Sequence, residues 1–282
     1  MAAMASQLAD DGESGARGVT PAANPKFLLE LIIADLHWSS LQVGSLALMA
    51  AAASASGSIA ELHSCRHLVY DDTRVMRLAL RYGSEAGLAD EIRDKLDLLY
   101  AAIGESLKPM AAFVQPLTLS HSVRNQLPRV LPALRKVAQM AAECLTLLES
   151  VTRSALNLDY CEDSVVIRQF LARAARGQMS DLDRCGVLVT PRLKQRRQSP
   201  RAKVTQSCRL VSPAGEFPAE IVDVSRGGLG LVCKGPLVQG EAVAVLVGER
   251  RLEAMVTRVS GYQLGLVLKQ SLHMTDPLFM GG

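Results

Sequence analysis

Arg197 and Arg201 stand four residues apart in RRQSPR, and Asp223, Ser225 and Gly228 follow about one hairpin later in DVSRGG. Arginine carries a permanent charge, a fork that matches phosphate oxygens, and a flat face that stacks on bases. The surroundings reinforce the charge. From Arg184 to Arg209 there are eight basic residues, at 184, 192, 194, 196, 197, 201, 203 and 209, and no acidic one. Taking that run from the formal net charge of +3 leaves about −5 for the remainder. A basic run so localised points to an anion, whether nucleotide, nucleic acid or acidic lipid. Asp223 and Ser225, two apart, would share one face of a strand. Gly228 would permit a turn or a close approach that a Cβ forbids. The alternative for the acidic motif is an Asx-type turn before Gly227-Gly228.

Elements able to position these residues begin near residue 190, where helical periods give way to short runs rich in Val, Leu and Ile. Strands are expected at 203–211, 217–223, 229–233, 242–247, 251–259 and 262–268. Pro213-Ala214-Gly215, Arg226-Gly227-Gly228, Lys234-Gly235-Pro236, Gly248 and Gly261 separate them as turns. Six short strands at this spacing suggest a small closed barrel, which removes exposed edges.

The ordered pair R-x-x-x-R and D-x-S-x-x-G on an all-β pattern resembles the PilZ family of cyclic di-GMP receptors, over roughly residues 190 to 272. Val222 to Leu231 and Tyr262 to Leu266 look like the family's barrel strands. The tail SLHMTDPLFMGG departs from it, offering little for the helix that many members carry after the barrel. The resemblance implies that Arg197 and Arg201 hold phosphate and the guanine Hoogsteen edge. It implies that Asp223 accepts from guanine N1 and N2, with Ser225 and Gly228 beside it. Arg196, just before the motif, matches the place where family members stack a second nucleotide; otherwise it is a solvated linker arginine. The ligand implied is cyclic di-GMP, and no cofactor is expected.

The first two-thirds read as helical. Residues 1–23 form a small, polar tail. Asn24-Pro25 is a helix start, with Asn24 as N-cap and Pro25 at the first helical position. Ser58-Ile59-Ala60-Glu61 has the capping-box pattern, and Gly83 closes a helix containing Val75, Leu78 and Leu80. Leu88, Ile92, Leu96, Leu99 and Ile103 form one buried stripe. Leu134, Val137, Ala141, Cys144, Leu148, Val151 and Ala155 repeat as a heptad seam. We expect this seam to pack within an antiparallel bundle, with homodimerisation as the alternative. A last helix runs near Ser164 to Arg176 and ends at Gly177.

Several features argue against other classes. The uncharged stretch Trp38–Ala60 is long enough to span a membrane. Its second half is rich in Ala, Ser and Gly, and Gln42 interrupts it, so a small-residue packing helix is expected instead. The N-terminus lacks the apolar core of a secretory signal. Six cysteines without a C-x-x-C pair suggest reduced thiols and a cytoplasmic setting. His63 and His67, in H-S-C-R-H, have helix-face spacing for a metal but no second ligand cluster, so a surface pair is expected and no metal site. No G-x-S-x-G, Walker A, G-x-G-x-x-G or H-E-x-x-H occurs, nor a cyclase or phosphodiesterase signature, and no enzymatic activity is expected.

The expected organisation is α+β and multidomain: a tail (1–23), an all-α helical bundle (24–182), a basic linker with R-x-x-x-R (183–202), a six-stranded antiparallel PilZ-like β-barrel (203–272) and a tail (273–282). The chain would bind cyclic di-GMP and relay that event to an unidentified protein partner through the helical domain, in bacterial motility, chemotaxis or surface attachment. Like charges at Arg192, Lys194, Arg196 and Arg197 would keep the linker open until an anion arrives. Two rivals remain. One is a nucleic-acid-binding β-barrel, disfavoured because Phe217 and Tyr262 are the sole stacking candidates nearby. The other is a PilZ-like adaptor that binds protein and no nucleotide.

Overall fold

The computed structural model describes residues 24–56, 68–69, 77, 80–81, 83–114, 121–178, 188–195, 199–273 and 276–279. The capping box at Ser58–Glu61, Val75, Leu78 and the His63–His67 cluster lie outside them. Among the described residues, five α-helices precede six strands: α1 (Pro25–Ser56), α2 (Asp90–Val114), α3 (His121–Leu147), α4 (Glu149–Ala155) and α5 (Leu158–Arg176).

Asn24 caps α1 as its sequence implies: its side-chain oxygen accepts from Lys26 N–H at 3.0 Å and from Phe27 N–H at 3.3 Å. By length and composition α1 could cross a membrane, yet 83% of its most apolar window is buried inside the protein. It is the core helix of the bundle, packed on α3 and α5. Its small residues permit that approach. A Cβ added to Gly44 would lie 2.5 Å from the Phe170 ring of α5. Leu134, Val137, Ala141 and Cys144 of the heptad are buried between the helices of this bundle. The helix is interrupted at Leu148, yet the seam continues: Leu148 is buried in the same core and Val151 packs against it, and only Ala155 at the end of α4 is exposed. α3 also begins well before the heptad and runs through Pro128 and Pro132, residues that read as helix breakers in sequence. α5 ends as expected, with Gly177 left-handed at φ 69°.

The second body is a closed antiparallel barrel of β1 (Ala202–Ser212), β2 (Gly215–Ser225), β3 (Gly228–Cys233), β4 (Ala242–Val247), β5 (Arg250–Ser260) and β6 (Gln263–Leu268), in the order β1-β2-β3-β6-β5-β4. Each strand lies within two residues of its expected bounds. The period-2 pattern explains this: Leu229, Leu231, Leu264 and Leu266 alternate into a core shared with Ile221, Val224, Val245 and Val256. After the barrel comes a single 3₁₀ turn, Pro277–Phe279, held by a bidentate Arg250–Asp276 pair at 2.6 and 2.8 Å. Phe279 belongs to the barrel core and stacks on Phe27 at the start of α1, with ring centroids 5.1 Å apart. The two bodies therefore share an aromatic contact.

Candidate functional site

Asp223 sits where β1 begins, β2 ends and β3 begins. The β2–β3 register shifts between Ile221 and Asp223, and the β1–β2 register shifts between Lys203 and Gln206. Such bulges re-aim side chains next to functional sites. Val224 points into the core, so Asp223 projects from the barrel's outer face. There the Arg201 Nη1 donates to Asp223 Oδ1 at 2.7 Å, with side-chain exposures of 31% and 15%. A charge-assisted bond of this kind contributes about 1.5–3 kcal/mol. Lys203 approaches the other carboxylate oxygen at 3.9 Å but is largely exposed, and so adds little.

The floor beneath the carboxylate is Gly230, Asp223's cross-strand partner. A Cβ there would lie 2.7–2.8 Å from the Asp223 carboxyl group. Reading the motifs alone misses Gly230, although a glycine inside a strand signals a close approach.

Ser225 and Gly228 are brought to the same corner. Ser225 is buried, and its hydroxyl donates to the Gly228 carbonyl at 3.1 Å, closing the turn between β2 and β3. Gly228 is required by its neighbour strand: a Cβ would lie 2.5 Å from the Leu266 carbonyl oxygen of β6. The turn is pinned on both sides. The Arg226 N–H donates to Ser199 Oγ at 3.4 Å, and its carbonyl accepts from Leu272 N–H at 2.7 Å. Ser199 thus lays the end of the arginine segment against the D-x-S-x-x-G turn.

Arg196 and Arg197 lie outside the described residues. Their flanks do not. On the N-terminal side, Leu188 and Leu193 pack on the helical core, and the Lys194 ammonium pairs with Glu162 of α5. The charge repulsion expected along the linker is therefore offset at Lys194 by an acid 32 residues earlier in the chain. Among the described residues no group of three His, Cys, Asp or Glu is placed to hold a metal ion.

No curated protein matches the chain. The family model of the PilZ domain matches residues 195–276, a span that contains Arg197, Arg201, Asp223, Ser225, Gly228 and the whole barrel. The C-terminal third of the chain, the barrel with the basic segment before it, is thus similar to the PilZ domain family.

Proposed function

We propose that this chain binds cyclic di-GMP at the corner formed by Arg201 and Asp223, and that binding is relayed to a protein partner through the helical domain. The observation that carries the reading is the outward-facing Arg201–Asp223 pair on a glycine floor. The Arg201 guanidinium, which matches phosphate, lies beside the Asp223 carboxylate, which would accept from the guanine N1 and N2 donors. Arg197, four residues from Arg201, would supply the second guanidinium. Arg196 would stack on a second nucleotide, giving two ligands per chain. Ser225 and Gly228 would shape the corner, and Ser225 keeps acceptor capacity beyond the turn bond it donates.

The relay follows from chain order. The arginine segment joins the two bodies, so a ligand touching both Arg197 and Asp223 would bridge linker and barrel. A ligand shifts a conformational equilibrium only by its differential contact with the two states, and bridging is such a contact. Motility, chemotaxis or surface attachment is the proposed setting. Calorimetric titration of the whole protein with cyclic di-GMP tests the reading. It should bind, with about two ligands per chain, and Arg196→Leu should lower that ratio towards one. Absence of binding would overturn the proposal; an unchanged ratio in the variant would assign Arg196 to the linker alone.

A further inference from the structure

Asp163 of α5 is an acid on a buried stripe. It is 2% exposed, in line with Tyr160, Ser164, Ile167 and Phe170. A buried carboxylate persists only where hydrogen bonds replace its water. Both its oxygens are used outside the helix: Oδ1 accepts from the Lys194 N–H and Oδ2 from the Gln195 N–H, each at 2.8 Å. Lys194 adds an ion pair to the adjacent Glu162. The helical domain therefore grips the main chain at the residue immediately before Arg196. Four residues later the chain is fixed again, by Ser199 on the Arg226 turn, and then by Arg201 on Asp223.

We propose that Asp163 is a positioning residue for nucleotide binding, which anchors the main chain at Lys194 and Gln195, the root of the R-x-x-x-R segment. The inference rests on the cyclic di-GMP reading above. Its physical basis is preorganisation. Chain held at both Gln195 and Ser199 before a ligand arrives costs less entropy to order on binding than chain held at one end. Releasing one anchor returns that freedom to the unbound state and weakens binding. The same grip gives the ligand a mechanical path to α5, and through it to α1 and α3.

The test uses the full chain: wild type, Asp163→Ala, Asp163→Asn and, as a control, Ile167→Val in the same buried stripe. Titration with cyclic di-GMP should show affinity about tenfold weaker in Asp163→Ala and a few-fold weaker in Asp163→Asn, which keeps one acceptor oxygen. Amide exchange at Lys194 and Gln195 should accelerate in both. Ile167→Val, which loosens the core and leaves the Asp163 carboxylate and its two backbone partners in place, should bind as wild type does. Wild-type affinity in a folded Asp163 variant with accelerated exchange at 194–195 would overturn the proposal. So would equal weakening by Ile167→Val, which would assign the effect to bundle stability. If Asp163→Ala fails to fold, Asp163→Asn decides the matter. A wild-type chain that binds no cyclic di-GMP would overturn the functional reading itself, an outcome distinct from equal binding by wild type and variants.

Discussion

Arg201 and Asp223, 22 residues apart in sequence, meet at 2.7 Å on the outer face of the barrel, where the arginine segment joins β1 and β2 turns into β3. The pair fixes each side chain's orientation. Asp223 aims the guanidinium, and the guanidinium holds the carboxylate over Gly230.

Base selectivity should follow from Asp223. A carboxylate can accept from the N1 and N2 donors of guanine, an edge that adenine lacks. Wild type should prefer cyclic di-GMP over cyclic di-AMP by at least about tenfold, since one charge-assisted bond is worth about 1.5–3 kcal/mol. Asp223→Ala should lower the ratio of the two affinities, leaving whatever preference the arginines draw from the guanine Hoogsteen edge. An undiminished preference in the variant would remove Asp223 from base recognition.

Gly228 and Gly230 should separate stability from binding. Gly228→Ala drives a Cβ against the Leu266 backbone carbonyl, which cannot swing aside. It should destabilise the barrel by roughly 1–3 kcal/mol in urea denaturation. Gly230→Ala meets the Asp223 side chain, which can rotate away and break the Arg201 pair. Its main effect should be about a tenfold loss of nucleotide affinity, with the smaller loss of stability. The reverse ranking would contradict these assignments.

Burial holds the His37 imidazole down to about 4, from 6.5. Its Nε2 lies 2.8 Å from Ser164 Oγ, between α1 and α5. Below pH 6.5 the unfolded chain takes up a proton that the native chain refuses. The stability contributed by neutral His37 is therefore whole above pH 6.5 and is lost as pH falls towards 4. Between pH 7 and pH 4.5 the loss should be roughly 2–3 kcal/mol. His37→Gln should flatten that part of the profile in urea titrations. An identical slope in the variant would assign acid sensitivity to other groups.

Nucleotide should slow amide exchange across residues 190–204, with smaller changes on the surface of α5. Exchange that does not change on adding nucleotide would separate binding from the relay.

The barrel was legible because its strands are short apolar runs and its turns carry Gly and Pro; inward residues such as Leu229 and Leu231 leave little freedom of register. The helix ends at Asn24 and Gly177 were legible as local capping chemistry. Contacts between distant residues were not. The interruption at Leu148 falls inside an unbroken heptad, which nothing in the apolar spacing marks. Gly230 could be placed under Asp223 only once the β2–β3 register and its bulge were known. Asp163 lies before the helix expected from Ser164, and its partners are backbone amides more than 30 residues away, which no sequence pattern marks.

The central claim is that cyclic di-GMP binds at the Arg201–Asp223 corner. Its most direct test is the cyclic di-GMP affinity of wild type beside Arg201→Ala, with circular dichroism showing that the variant retains its barrel. The account predicts binding by wild type and an affinity at least about tenfold weaker in the variant. Equal affinity in the two proteins, or no binding by wild type, would contradict it.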